Sequence, residues 1–283
     1  MRRTIQVVIS DMHAGANVAL MNPEVVLQEE NEEGNIVDFQ PRMTPTQEYL
    51  WAFWQQCIDD VMRIADGAEV AIWLNGDECQ GIKHHALLVS DRPSNQITIA
   101  TANMTPWLEH ENVKIVRVIV GTEAHTMLSG TTSYLVQQML SARYPDRDIK
   151  TMYHNLVTYN GLVSDFAHHG PPPGARGWLK GNIARYMLRD LMTREIMRGK
   201  RPPDIYWRGH YHTPVFEYLE TGDYVSRMYV TPSWTFVGDH ARQATRSEYE
   251  ITHGLVALEI VDGKVTGEHR MYKTSEIRTK ETL

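Results

Sequence analysis

Cysteine is nearly absent: Cys57 and Cys79 are the only two in 283 residues. Two thiols cannot build the disulfide framework of a small secreted domain, and Cys57 falls on the apolar face of a predicted helix, so a reducing cytoplasm is expected. Long hydrophobic runs are missing too. Behind the basic start Met1-Arg2-Arg3 the apolar stretch stops at Asp11, too short for a signal peptide or a membrane span, and no membrane partner is expected. Positive charge is not in excess. The formal net charge of -7 excludes a broad basic surface for non-specific nucleic-acid binding, although it leaves room for a local basic patch. No repeat, low-complexity tract or Pro/Gly/Ser linker divides the chain, and a hydrophobic content of 42% is enough for a buried core. Residues 1–283 therefore read as a single domain.

What the chain does have is histidine, 13 in all, and many of them stand just after short apolar runs. Thr4 to Ser10 is rich in β-branched residues and reads as a buried strand that ends in Asp11-Met12-His13. Glu69 to Leu74 reads the same way and runs into Asn75-Gly76-Asp77, where Gly76 permits a tight turn that carries Asp77 over the end of the sheet. Val113 to Val120 leads to Gly121-Thr122-Glu123-Ala124-His125, Leu162 to Ala167 to His168-His169, and Asp204 to Trp207 to Arg208-Gly209-His210-Tyr211-His212. Each motif alone has a plain alternative: a helix-capping Asp, a Gly-Asp turn, a pair of surface loop histidines. Together they place ligand-type side chains at five strand C-termini, the edge where open α/β sheets build their sites. Imidazole supplies a neutral nitrogen near pH 7, and Asp-x-His or His-x-His on extended chain turns both side chains to one side.

Between the strands, Thr44-Pro45-Thr46-Gln47 predicts a capping box with Pro at the first helical position, followed by a helix with Leu50, Trp54, Cys57, Ile58, Val61 and Ala65 on one face and Asp66-Gly67 at its end. Further helices are predicted over 96–110, near 131–142 and over 176–198. Residues 14–43 lack periodicity and carry the acidic run Glu29-Glu30-Asn31-Glu32-Glu33, so they are expected to form an exposed acidic insertion. Asp262-Gly263 predicts a closing hairpin near 255–272, and the polar stretch from Thr274 onward is expected to be loose.

In chain order, Asp-x-His, Gly-Asp, a Gly-Asn-His-like third motif, His and Gly-His-x-His resemble the calcineurin-like metallophosphoesterases from residue 4 to about 233, where Thr231-Pro232-Ser233 is similar to a short segment that follows the last histidines in that family. The resemblance implies an α/β fold, a two-layer mixed β-sandwich flanked by helices, with two divalent metal ions at the C-terminal strand ends. Mn is favoured, and Fe, Zn or Ni would also be accepted. It implies that Asp11, His13 and His212 hold the first ion, that Asp77 bridges, and that His210 and one of His168 and His169 hold the second. His168 is favoured because adjacent strand residues face opposite ways. The division is also physically reasonable, because two divalent ions held about 3.5–4 Å apart need an anionic bridge and can clamp a phosphoryl group around a bridging hydroxide.

The third motif departs from the family. Thr122 stands where Asn is usual, and Glu123 is expected to ligate the second ion instead. His125 is expected to contact phosphate or protonate the leaving group. His84, His169 and Arg176, with Lys180, are candidates for rim or substrate contacts, Arg176 and Lys180 being equally readable as solvated charge. The implied function is hydrolysis of a phosphodiester or phosphomonoester. Acidity favours a small phosphate ester over nucleic acid. The alternatives are a nuclease of the same family and a metal-binding scaffold or regulatory protein that has lost turnover.

Overall fold

The structure, a computed structural model, describes residues 2–83, 87–127, 129–174, 177–236, 250–278 and 281. His84, His85 and Arg176 lie outside the described residues. The predicted strands form. β1 (Arg3–Ile9), β4 (Glu69–Leu74), β5 (Val113–Ile119) and β6 (Asp148–Met152) run parallel in one sheet, with β12 (Glu250–Val261) antiparallel to β1 and β13 (Lys264–Glu276) at the edge, in the order β13-β12-β1-β4-β5-β6. A second sheet has the order β10 (Val215–Thr221), β11 (Tyr224–Val230), β9 (Ile205–Gly209), β8 (Leu162–His169), β7 (His154–Tyr159), with β8, β9 and β11 mutually parallel.

Strict alternation along the strands explains why the sheets stack. On β1 and β4, Val8, Ala71 and Trp73 face the second sheet and pack with Phe166, Trp207 and Tyr229. Ile5, Val7, Ile9, Val70, Ile72 and Leu74 face the other way. There they meet α1 (Pro45–Ala65), α2 (Pro93–Leu108) and α4 (Thr131–Arg143). Helix α5 (Asn182–Met197) covers the outer face of the second sheet through Ala184, Leu188 and Met192. The result is a two-layer mixed β-sandwich flanked by helices. Between the layers Trp73, Phe166, Trp207 and Tyr229 form a run of stacked rings with successive centroids 4.8, 5.9 and 4.4 Å apart. Such pairs add about 0.5–1.5 kcal/mol each beyond area burial, which ties β4 to the three parallel strands of the second sheet. β1, β4, β5, β8 and β9 thereby end on one edge.

Helix α1 begins with the reciprocal Thr44/Gln47 capping box and Pro at its start, and it ends at Asp66 in the left-handed region. Residues 14–43 are not a wholly exposed insertion. Ala14, Ala16, Ala19, Leu20 and Met21 are buried in the core, and only the hairpin β2 (Leu27–Glu30) and β3 (Ile36–Phe39) carries the acidic run outward. These buried residues lie on irregular backbone, which no periodicity can reveal. The closing hairpin is longer than 255–272, and β13 continues through Thr274 to Glu276 because β12 pairs with it from Glu250 onward. Among the described residues, no helix is long and apolar enough to cross a membrane.

Candidate metal centre

Beyond the ends of β1 and β4 the two chains stay zipped. Asp11 N–H donates to Gly76 O (3.0 Å), His13 N–H to Asp77 O (2.9 Å) and Ala14 N–H to Glu78 O (2.8 Å). Asp11, His13 and Asp77 adopt φ of 55°, 47° and 53°, and on the facing strand end His210 and His212 adopt 75° and 56°. A non-glycine residue in this region costs on the order of 1–2 kcal/mol. The cost is met by the surrounding hydrogen bonds, and it turns the side chains inward. Gly76, at φ 93°, makes the expected tight turn. Gly121 is needed for a different reason: a Cβ there would sit 2.1 Å from Asp77 Oδ1.

Three overlapping groups of ligand-type atoms result, Asp11/His13/His212, Asp77/His168/His210 and His13/Asp77/His125. In the first, His13 Nε2 faces His212 Nε2 at 3.1 Å, with Asp11 Oδ1 3.2 Å from His212 Nε2 and 3.7 Å from His13 Nε2. Two imidazole nitrogens and a carboxylate oxygen this close need a cation between them. Asp11 Oδ1 has no hydrogen-bond partner although fully buried. Its other oxygen, Oδ2, accepts from Ser10 Oγ and from His210 N–H (3.1 Å). In the second group His168 Nδ1–H donates to Asn75 O (2.6 Å), which leaves Nε2, 3.0 Å from Asp77 Oδ2 and without a hydrogen-bond partner, as the ligand atom. A backbone carbonyl fixing the far nitrogen is the usual way to orient a metal-binding imidazole.

The electrostatics agree. Burial alone would raise the Asp77 carboxyl, but His168 and His13 outweigh it and hold the group down at about 2. Burial likewise opposes ionisation of Asp11, yet His212 and His168 keep it well below the usual carboxylate range. Burial would depress His168, but Asp11 and Asp77 push it up to about 10. Burial brings His13 down to about 4. The field of the two carboxylates is thus strong enough to hold a proton on a buried imidazole, and the orphaned atoms fit divalent ions.

Asp11, His13, Asp77, His125, His168, His210 and His212 are brought together. Glu123 is not: it starts the short α3 (Glu123–Thr126) with its side chain exposed and joins none of the groups. Thr122 takes its place at the cluster, its N–H and Oγ1 donating to Asp77 Oδ1 (2.6 Å) and Oδ2 (3.0 Å), with Oγ1 also 3.1 Å from His210 Nδ1. The reason is local. The turn after β5 aims residue 122 inward and residue 123 into the first turn of a helix. His169 is exposed, its ring 4.8 Å from that of His210, and Lys180 is exposed. Ser10, Asn75 and Thr231 were not singled out by sequence. Their roles are backbone-directed, as when Thr231 N–H and Oγ1 both donate to Arg208 O beside the His210 turn (2.9 and 3.0 Å), and only the adjacency of Ser10 and Asn75 to the strand-end motifs signals them.

Fold and site together define an α/β protein of the two-layer sandwich class with candidate metal-binding His/Asp groups on its C-terminal strand edge. No family model and no curated protein matches the sequence. Among solved structures, the sulfate thiohydrolase SoxB of Thermus thermophilus, determined with glycerol, is similar at a TM-score of 0.39 and 10% identity, over 96% of this chain and 56% of that one. The chain thus spans just over half the length of SoxB. A Thermotoga maritima protein solved by solution NMR is similar at a TM-score of 0.30 and 11% identity, over 98% of this chain and 100% of that one.

Proposed function

We propose that the chain is a dinuclear metal-dependent phosphoesterase. The observation that supports this reading is the convergence of two carboxylates and five imidazoles from five strand ends into overlapping ligand groups at one sheet edge. Asp11, His13 and His212 would hold one divalent ion, and Asp77, His168 and His210 the other, with Asp77 shared between them and Thr122 steadying its carboxylate. Such ions supply Lewis-acid activation of a phosphate ester and of the attacking water. Mixed imidazole and carboxylate ligation accepts Mn, Fe, Zn or Ni, and we favour Mn.

The residues around the ligands do the rest. His125 Nδ1–H donates to Gln80 O at 2.5 Å, so Nε2 is the nitrogen free to hold or pass a proton at the leaving-group oxygen. His169 and His210 stand side by side at the rim, where His169 can meet a phosphoryl oxygen. We assign a small phosphodiester or phosphomonoester as substrate, in line with the net charge of -7, and place the protein in a reducing cytoplasm because Cys57 and Cys79 are both unpaired.

A catalytically silent metal-binding scaffold is the second reading, favoured by one feature: Thr122 offers the second group a hydroxyl rather than an Asn amide or a carboxylate. The test is to strip the protein, add back Mn, Ni, Zn or Mg, and assay bis-nitrophenyl phosphate against nitrophenyl phosphate alongside elemental analysis. Turnover that follows metal content supports the esterase. Bound metal with neither ester hydrolysed supports the scaffold.

A further inference from the structure

Gln96 lies on α2, two helical residues removed from any ligand motif by sequence, yet it is fully buried against the site. Its amide makes a two-way bond with one backbone unit: Gly81 N–H donates to Gln96 Oε1 (2.8 Å) and Gln96 Nε2 donates to Gly81 O (3.1 Å). A third bond runs from Nε2 to Ser90 O (3.2 Å). The side chain also fills the space over Gly15, where an added Cβ would lie 2.5 Å from Gln96 Cγ. It thus touches both loops that carry ligands away from β1 and β4. These loops are zipped as far as Gln80 N–H to Ala14 O (2.9 Å), and Gln96 grips the residue after the zip ends.

The next link is His125. Gln80 O, one peptide before the gripped unit, accepts its Nδ1–H at 2.5 Å. Gly81 presses against the same turn, since a Cβ there would lie 2.4 Å from Ala124 O and 3.2 Å from His125 Cα. On the far side Thr132 Oγ1 donates to His125 O (3.2 Å). The His125 backbone is therefore held from two sides, while its ring orientation and tautomer hang on one carbonyl. We infer that Gln96 is a positioning residue for His125: by clamping Gly81 it aims the Gln80 carbonyl, which keeps the proton on Nδ1 and turns Nε2 to the site. This rests on the role given to His125 under the proposed function, but the positioning itself can be measured without turnover.

The experiment compares wild type with Gln96→Met, which keeps length and removes all three bonds, and Gln96→Glu, which keeps the acceptor for Gly81 N–H and loses the amide donors. Long-range proton–nitrogen NMR of the full chain, metal-free and zinc-loaded, reads the tautomer of each site histidine. The Nδ1–H signature of His125 is expected in wild type and is expected to be lost or mixed in Gln96→Met, with His13, His168 and His212 unmoved and metal content unchanged. If the Met variant does not fold, the Glu variant must show the same change. An unchanged His125 signature in a folded variant overturns the inference, and so does a change shared by all the site histidines, which would mean general collapse. In the phosphoesterase assay kcat should fall about tenfold or more, the scale of a misplaced acid–base group, with KM held. A wild type that hydrolyses no ester but whose His125 responds to Gln96 would sink the enzymatic reading and leave the positioning intact.

Discussion

Replacing Asp77 with Asn tests the centre most directly, because the change keeps shape and removes only charge. Asp77 is 1% exposed and belongs to two of the three ligand groups. The Asn carbonyl can still accept Thr122 N–H, now 2.6 Å from Oδ1, but the NH₂ that replaces Oδ2 would point a donor at Thr122 Oγ1 and His168 Nε2, both 3.0 Å away. A unit charge pair about 4 Å apart is worth about 4 kcal/mol at an effective dielectric near 20, or about three decades in Kd, and a divalent ion should lose at least that. The stripped protein should respond separately. Burial raises the Asp77 carboxyl, yet His168 and His13 bring it from 3.8 down to about 2. A depressed folded pKa contributes stability above 3.8 that fades as pH falls toward 2, on the order of 2 kcal/mol. A neutral Asn lacks that contribution, so the stripped variant should be less stable than stripped wild type at pH 7 and no less stable at pH 2. Calorimetric titration with Mn reads the first effect and denaturant melts at the two pH values the second. Retention of both ions with Kd within about threefold, well under one decade, would refute the assignment of Asp77 as the shared ligand.

Thr122→Val removes the hydroxyl beside Asp77 and His210 and should weaken binding of one ion by about 10–100-fold, whereas Glu123→Ala should leave elemental content unchanged; the reverse pattern would restore Glu123 as the ligand. Trp54 is fully buried, donates from Nε1 to Asn103 O (3.1 Å) and sits edge-on to Trp234 at 4.7 Å, so Trp54→Ala should cost about 3–5 kcal/mol in a guanidinium melt, and a loss below about 1 kcal/mol would mean that α1 is not packed as described. His253 is fully buried, and burial, with His212 adding to it, lowers its imidazole from 6.5 to about 4. Stability held by the neutral ring is present above pH 6.5 and lost as pH falls toward 4, about 3 kcal/mol in all; His253→Leu should flatten that limb of the stability profile, and an unchanged limb would place the titration elsewhere.

The strand ends were legible because a buried strand writes its own pattern. Thr4 to Ser10 and Glu69 to Leu74 are short, β-branched or apolar, and end abruptly in polar residues, and these are β1 and β4 with Asp11, His13 and Asp77 beyond them. The cap of α1 was legible for the same reason, since Thr44, Pro45 and Gln47 each do chemistry fixed by position. Pairing was not. β12 lies between β1 and β13, joining residue 3 to residue 261, and nothing local encodes a contact so distant. Nor was the choice between Thr122 and Glu123, which turns on a single residue's rotation where strand gives way to helix. Gln96 was invisible because a lone glutamine on a helix reads as solvated, and its three bonds are all to backbone atoms far along the chain.

Five ligand residues, Asp11, His13, Asp77, His210 and His212, adopt left-handed backbone, and at about 1–2 kcal/mol each their strain is comparable to the whole net stability of a typical domain. Such a cost can be met by bound ions or by the protein. If ions met it, the loops would relax once stripped. The hydrogen bonds argue for the protein: Asp11, His13, Ala14 and Gln80 donate across the two loops at 2.8–3.0 Å, and Trp234 N–H closes on Asp11 O at 2.9 Å, with almost every atom involved buried. The ligand cage is therefore formed before any ion arrives, and binding energy need not be spent on folding it. Amide hydrogen exchange decides between the two. In stripped protein the amides of His13, Ala14 and Gln80 should remain as protected as those of β1 and β4 themselves; exchange there that outpaces the strands by decades, and slows on adding Mn, would show that the ions build the cage.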